Sequence, residues 1–585
     1  MFRIRSYYVL GLLALSILTS CRHSARMPNV IFVLTDDQGW GDIGYNGNQM
    51  LSTPTLDSLA ASSVVIDRFY VSPVCAPSRA SFLTGKYHLN TGVSWVTHRK
   101  EVMHESETTV AEIFKEEGYR TAYYGKWHNG AQYPHSPLGQ GFDQFFGFCG
   151  GHCNSYFDTE LQWNHEMIPT QGYVADLFTD SLINFIDDSE KPFYAVLAYN
   201  TPHTPYQVPD LYYDKYLQMG LDRKTAAIYG MIENIDHNVN RLLDALNKED
   251  QMENTIFVYT SDNGPNFVRY NGGLKGRKAQ VDEGSIRVPF IIHYPEGHFK
   301  TRHISEGFAS HIDLLPTLLD LCGIQTNNEF HGSSFASFLQ KNKKLSTEKV
   351  LFTHQLLNDD FAASSAVRTN EYLLTCYPGD TALFNLQNDP YQLKNIIGQQ
   401  KNISDALIRA YKNWYEEAIG EGVDPEPITI DDHMDIDIDF PAHEADLSEG
   451  LDFAGTMGWA NDWIINWDSG KDSISWDIQV ESDCSYKVSL LYACKQKDIG
   501  SKLLLKTKSS QTPIRISQAD EGILVDNPDR VIRKEVQERK WGVLEAGILR
   551  LSETDSTISI SLLDDVSTSI EIKGIVLRSN EYKID

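Results

Sequence analysis

Between residues 29 and 321 the chain alternates short, nearly unbroken apolar runs with stretches in which apolar residues recur at helical spacing. Residues 30–34, 120–124, 193–199 and 256–259 are of the first kind. Apolar runs bounded by polar residues predict strands buried on both faces, as in a parallel sheet. Residues 109–117, 226–247 and 312–321 are of the second kind and predict amphipathic helices, the last ending near Gly323. Strands alternating with helices predict an α/β layered domain.

The pattern then changes twice. Residues 348–420 hold a few strand-like runs and a late helix at 404–419, which predicts a smaller α+β subdomain. An acidic, proline-containing stretch follows, with the composition of a linker. Beyond it, residues 473–480, 486–492, 502–508, 547–551, 557–562 and 569–577 are short strands separated by turn residues, the pattern of an all-β sandwich. The expected division is a signal and tether at 1–26, an α/β domain at 27–325, an α+β subdomain at 326–420, a linker at 421–439 and a β-sandwich at 440–585. A length of 585 residues suits several such units.

The formal net charge of -28 argues against binding nucleic acid, which runs on surplus Lys and Arg, but leaves room for a small anion in a locally basic pocket. At the N-terminus, Arg3 and Arg5 precede an apolar core at 10–18 that is too short to span a bilayer. It ends in Leu18-Thr19-Ser20-Cys21, which resembles a bacterial lipobox with Cys21 as the lipidated residue. The other reading is an ordinary cleaved signal with an incidental cysteine. Both predict export. The lipobox reading predicts a protein of the periplasm or outer membrane that meets the membrane only through its N-terminal lipid. Export permits disulfides among the remaining cysteines, and the Cys149-Gly-Gly-His-Cys153 segment favours loop structure or a disulfide over zinc, because no second Cys/His pair follows at finger spacing.

Ligands of open α/β sheets bind beyond the C-terminal ends of the strands. Run 30–34 leads into Asp36 and Asp37, run 256–259 into Asp262 and Asn263, run 120–124 into Lys126 and His128, and run 193–199 into His203. The four acid and amide side chains are oxygen ligands suited to Ca²⁺, with Mg²⁺ second; alternatively Asp36 and Asp37 only end a strand and cap a helix. Cys75 precedes Pro77 and a predicted helix through 80–83, where a thiol would meet the positive end of the helix dipole with Arg79 beside it. A buried structural cysteine is the plainer reading.

Cys75-Ala76-Pro77-Ser78-Arg79, running on through Thr84-Gly85, resembles the signature of the type I sulfatases. The Asp-Asp-Gln-Gly ending, Gly125-Lys126-Trp127-His128, Thr201-Pro202-His203, Ser261-Asp262-Asn263-Gly264, the Lys278 to Pro289 segment and His311 to Leu318 follow in the family's order. Residues 383–390 resemble the family's closing subdomain, and the likeness covers about 29–420. Two positions depart from the pattern: Asn129 stands where leucine is usual and Ser285 where glycine is usual. The resemblance implies an alkaline-phosphatase-like sandwich with a large mixed sheet between helices, and hydrolysis of sulfate esters. It implies that a maturation enzyme oxidises Cys75 to formylglycine, whose hydrate shares calcium with Asp36, Asp37, Asp262 and Asn263. Arg79, Lys126 and Lys278 would then stabilise the transferring group, His203 would protonate the leaving oxygen, and His128 would take the proton that expels sulfate.

Trp459, Trp463, Trp467 and Trp476 cluster at the start of the sandwich and read mainly as core, with sugar stacking as the alternative. Export, lipid anchor and sandwich together resemble glycan-scavenging bacterial enzymes, which implies a sulfated carbohydrate attacked at a terminal sugar. His98, Arg99, His152, Asn154 and Arg269 are the candidate substrate contacts, each with a structural role as its rival. Two other activities fit: a phosphodiesterase or phosphonate monoester hydrolase of the same superfamily, and a noncatalytic glycan-binding lipoprotein.

Overall fold

A computed structural model describes residues 27–578 apart from 189–190, 342–344, 356–363, 421–422, 432 and 434–435. The export segment and Cys21 lie outside the described residues. The four apolar runs form the strands Asn29–Thr35, Arg120–Lys126, Phe193–Ala198 and Thr255–Ser261, all parallel neighbours in a ten-stranded mixed sheet. Their lack of alternation has a direct cause: Val30, Phe32 and Leu34 enter one hydrophobic core while Ile31 and Val33 enter another on the opposite face. The first core packs the helices Cys75–Thr84, Val110–Glu116 and Leu314–Cys322, and the second packs Pro54–Ser62, Val174–Asp187 and Arg223–Lys248. Thr109 begins its helix with a capping box to Glu112, which accounts for the sharp start of that amphipathic pattern.

The α+β subdomain is an antiparallel sheet of four strands, Leu351–His354, Ser365–Arg368, Tyr372–Tyr377 and Asp380–Asn385, covered by the helix Lys401–Ala418. It is fastened to the α/β domain by the buried ion pair of Arg368 and Glu283.

The C-terminal domain is a sandwich of two sheets. Ile474, Trp476, Leu505 and Ile560 from one sheet and Val488, Leu490, Leu549 and Ile575 from the other share its core. The stretch expected to be a linker, 421–439, is in part sandwich. Ile428–Ile430 pairs with Ser473–Val480, and Ile438–Pro441 pairs with Glu571–Arg578. These strands are too short for their alternation to stand out against the acidic residues around them. Trp467 and Trp476 are core, Trp463 packs edge-on to Trp541, and Trp459 remains 40% exposed. A disulfide between Cys149 and Cys153 is not formed. Both are free thiols, the first donating to the Gln162 side chain and the second to the Ser155 carbonyl. Among the described residues no helix is long and apolar enough to cross a membrane.

Candidate active site

The parallel register sets Thr35 beside Ser261, so the residues that follow, Asp36 and Asp37 on one strand and Asp262 and Asn263 on the next, emerge as neighbours. The Asp262 amide donates to the Thr35 carbonyl and the Asn263 side chain donates to Asp37 at 2.8 Å. Gly264 permits this crowding: a Cβ there would stand 2.5 Å from the carbonyl oxygens of Gly284 and Ser285. Cys75 joins the group from below. It is the first residue of its helix rather than the residue before it, and Pro77 lies within the first turn. Its Sγ and carboxylate oxygens of Asp36 and Asp262 lie within 4.8 Å of one another.

All four proposed metal ligands are essentially without solvent access. Three of their oxygens, Asp36 Oδ1, Asp37 Oδ2 and Asn263 Oδ1, are buried with no hydrogen-bond donor. Such oxygens are costly unless a cation meets them. The cations of the chain itself sit on the other oxygens: Lys126 Nζ donates to Asp36 at 2.5 Å, Lys278 Nζ to Asp37 at 2.6 Å, and Arg79 to Asp262 at 2.8 Å. Burial opposes the charge on Asp36, but Lys126 foremost, then His203, Lys278 and Arg79, hold its carboxyl well below the usual range. At Asp262 burial and the neighbouring Asp36 charge win, and the carboxyl is pushed up. An acid cluster that repels its own third charge and keeps three oxygens bare fits a hard, oxygen-preferring cation such as Ca²⁺.

His128 and His203 differ in their ring nitrogens. His128 Nε2 faces the Val96 carbonyl at 2.9 Å, so that nitrogen carries the hydrogen. Its Nδ1 is then a bare acceptor, buried and unpartnered. Burial, and next the Lys126 charge, hold its imidazole well below the usual histidine range, so it stays neutral. His203 Nδ1 faces its neighbour's carbonyl, Thr204 O, at 2.7 Å, which leaves Nε2 turned toward the acid cluster, 3.9 Å from Asp37 Oδ2. Asp37, His128 and Ala279, next to Lys278, all adopt the left-handed region that non-glycine residues avoid. Each such residue costs about 1 kcal/mol or more, and strain of this kind gathers at functional sites.

The two departures from the family pattern are accommodated. Asn129 donates to the Ala76 carbonyl at 3.1 Å and so ties the His128 segment to the start of the Cys75 helix. Ser285 sits in the short helix Glu283–Ile286 without a left-handed backbone, so glycine's freedom is not needed there.

The five candidate substrate contacts separate. His98 meets Met457 O and the Phe453 ring of the sandwich. Arg99 is buried against Glu444, Gln132 and the Glu426 carbonyl, so it joins domains. Arg269 is buried against Asp42 and the Asp37 carbonyl. His98 and Arg99 thus reach across to the sandwich and its neighbouring segment, whereas Arg269 pairs with Asp42 beside the acid cluster and keeps its Nη1 buried without a partner. Alanine at Arg269 should therefore destabilise the fold by about 3–5 kcal/mol, since Asp42 would be left buried and unpaired; calorimetry on the variant checks this. His152 and Asn154 behave differently. Both are buried, yet both ring nitrogens of His152 and Oδ1 of Asn154 lack partners. The His152 ring stands 6.0 Å from that of His203. Missing from the sequence reading are Gln207, Asn461, Asp529 and Arg533, which hold the loops around these two residues; no motif marks them.

A family model described as sulfatase matches residues 28–324, and one described as N-sulphoglucosamine sulphohydrolase, C-terminal, matches residues 277–415; both stop before the sandwich. An ulvan-active sulfatase of Formosa agariphila is 30% identical over 406 residues, 64% of this chain and 77% of that protein. An N-acetylglucosamine-6-O-sulfatase of Bacteroides thetaiotaomicron is 25% identical over 525 residues, 70% of this chain and 91% of that one. Among solved structures, Ps i-CgsB in complex with k-i-k-neocarrahexaose is 28% identical with a TM-score of 0.63, covering 66% of this chain and 93% of that one. With the family match spanning half of the chain and falling on the strands and helix that build the acid-and-cysteine centre, this protein belongs to the sulfatases, enzymes that hydrolyse sulfuric esters.

Proposed function

We propose that this sulfatase removes sulfate from a sulfated carbohydrate, at an exposed terminal sugar, with formylglycine made from Cys75 by a maturation enzyme and with Ca²⁺ held by Asp36, Asp37, Asp262 and Asn263. The observation that carries it is the buried meeting of the Cys75 thiol with carboxylates whose free oxygens have no donor. The carbohydrate part is supported by the relatives, which include an ulvan-active sulfatase, an N-acetylglucosamine-6-O-sulfatase and a structure bound to a neocarrahexaose. The lipobox-like ending at Cys21 supports an exported lipoprotein of the periplasm or outer membrane.

Hydrated formylglycine would supply one hydroxyl to attack sulfur and a second whose deprotonation releases sulfate. Bound Ca²⁺ would supply Lewis acidity, lowering a hydroxyl pKa and holding sulfate oxygens. The chain's own residues do the rest. Lys126, Lys278 and Arg79 hold three positive charges beside Cys75, where negative charge accumulates on the transferring group. His128 offers a bare Nδ1 and, being neutral, is ready to accept a proton. His203 presents Nε2 from the loop facing the acid cluster and, when protonated, donates to the departing oxygen.

Alanine at His203 should reduce turnover of monosulfated sugars by about 100-fold or more, while 4-nitrophenyl sulfate, whose leaving group needs no proton, loses far less. Equal losses on both would remove His203 from the acid role. In the same assays, faster turnover of aryl phosphonate monoesters than of any sulfate ester would overturn the sulfated-carbohydrate reading.

A further inference from the structure

The sandwich, which neither family model reaches, makes two polar contacts with one loop of the active site. Asn461 Nδ2 donates to the His152 carbonyl at 2.8 Å, and Arg533 Nη1 donates to the Asn154 carbonyl at 2.8 Å. The Arg533 side chain is only 2% exposed and is itself fixed by Asp529, to which Nε and Nη2 both donate at 2.7 Å. Asp529 also accepts from Gln207 at 2.8 Å, and Gln207 in turn accepts from the Tyr156 amide at 2.7 Å. The Tyr156 hydroxyl lies within hydrogen-bond reach of the carbonyls of His203 and Thr204. One chain of hydrogen bonds therefore runs from the sandwich through the 152–156 loop to the backbone of His203.

What this clamp holds is unusual. His152 and Asn154 are buried, yet three of their polar side-chain atoms have no partner. A neutral imidazole with one donor and one acceptor nitrogen, next to an amide oxygen, matches the alternating donors and acceptors of a sugar's hydroxyls. A protein rarely leaves such atoms buried and bare unless a ligand satisfies them.

We propose that the sandwich is a positioning module for substrate: through Arg533 and Asn461 it fixes the 152–156 loop so that His152 and Asn154 bind hydroxyls of the sugar whose sulfate His203 helps release. Arg533, Asp529 and Asn461 touch no substrate; they act through the loop. Loosening the clamp costs sugar recognition, while Asp36, Asp37, Asp262 and Cys75 are held by the central strands and the Cys75–Thr84 helix, outside the clamp. The substrate class rests on the function proposed above, whereas the clamp itself does not.

The test compares full-length, matured wild type with Arg533→Ala, Asn461→Ala and Arg533→Lys. Substrates are 4-nitrophenyl sulfate and a panel of galactose, N-acetylgalactosamine and N-acetylglucosamine, each sulfated at a single hydroxyl. Either alanine variant should raise KM for the preferred sugar so that its kcat/KM falls about 30-fold relative to that for 4-nitrophenyl sulfate. Lysine should recover part of the loss, since it can still donate to the Asn154 carbonyl but cannot bridge Asp529 in two places. Amide exchange across 152–156 should quicken in both alanine variants. Equal losses on sugar and aryl substrates, a sugar loss confined to kcat with KM unchanged, or sugar kinetics left unchanged overturn the proposal. Should wild type turn over 4-nitrophenyl sulfate and none of the sugars, the carbohydrate reading fails. Exchange across 152–156 then decides the clamp: unchanged protection in Arg533→Ala removes it, and faster exchange sustains it.

Discussion

Alanine at Cys75 is expected to lower kcat/KM for every sulfate ester by about 10,000-fold or more, because the helix start would lose its only nucleophile while binding groups remain. Serine at this position, made in a host that matures only cysteine, separates the nucleophile from the release step. A serine oxygen can take the sulfuryl group but has no second hydroxyl from which a proton can be drawn to expel it. Such a variant should release alcohol in a burst about equal to the enzyme present and then stall until water intervenes. His128→Asn should show the same burst, since its bare Nδ1 is the acceptor placed for that proton. Mass spectrometry of the Cys75 peptide from active, matured enzyme should show the aldehyde. Full activity in protein carrying only the thiol would falsify the formylglycine proposal.

Removing divalent metal should abolish turnover, and Ca²⁺ should restore it more completely than Mg²⁺. The reason lies in Asp36, Asp37 and Asn263, whose free oxygens have no donor, and in Asp262, which burial and its acidic neighbour already disfavour as an anion. A ligand bound only by the folded state stabilises it by about 2.7 kcal/mol at 100 times its Kd, so calcium should raise Tm by several degrees in the α/β domain. Asp37→Asn should weaken both effects together. An enzyme whose activity and Tm ignore exhaustive chelation, with no bound metal by elemental analysis, would remove the cation from the site.

Much of this molecule is legible from its residues in order. The strands Asn29–Thr35, Phe193–Ala198 and Thr255–Ser261 are visible because burial on both faces demands unbroken apolar sequence, which few other structures require. Their polar endings mark the site because a strand can hand its next residue to only one edge of the sheet. Cys75 and its helix are readable for a similar reason: proline in the first turn and small residues around it are local constraints.

The partners of Arg99 and Arg269 are not readable from sequence alone. A cation's partner, here Glu444 or Asp42, is chosen by how distant segments meet, and charge in a loop says nothing of that. The strands at Ile428–Ile430 and Ile438–Pro441 were hidden because so short an alternation carries little signal until a partner strand lies beside it. The link from Arg533 through Asn154 to the active site spans 379 positions of chain and rests on a single backbone carbonyl. The sequence by itself determined the sheet, the acid-and-cysteine centre and the family, because those depend on local patterning and fixed spacing. Only the tertiary structure decided which candidates pair with distant parts of the chain and which keep buried polar atoms without partners, because that depends on how remote segments meet.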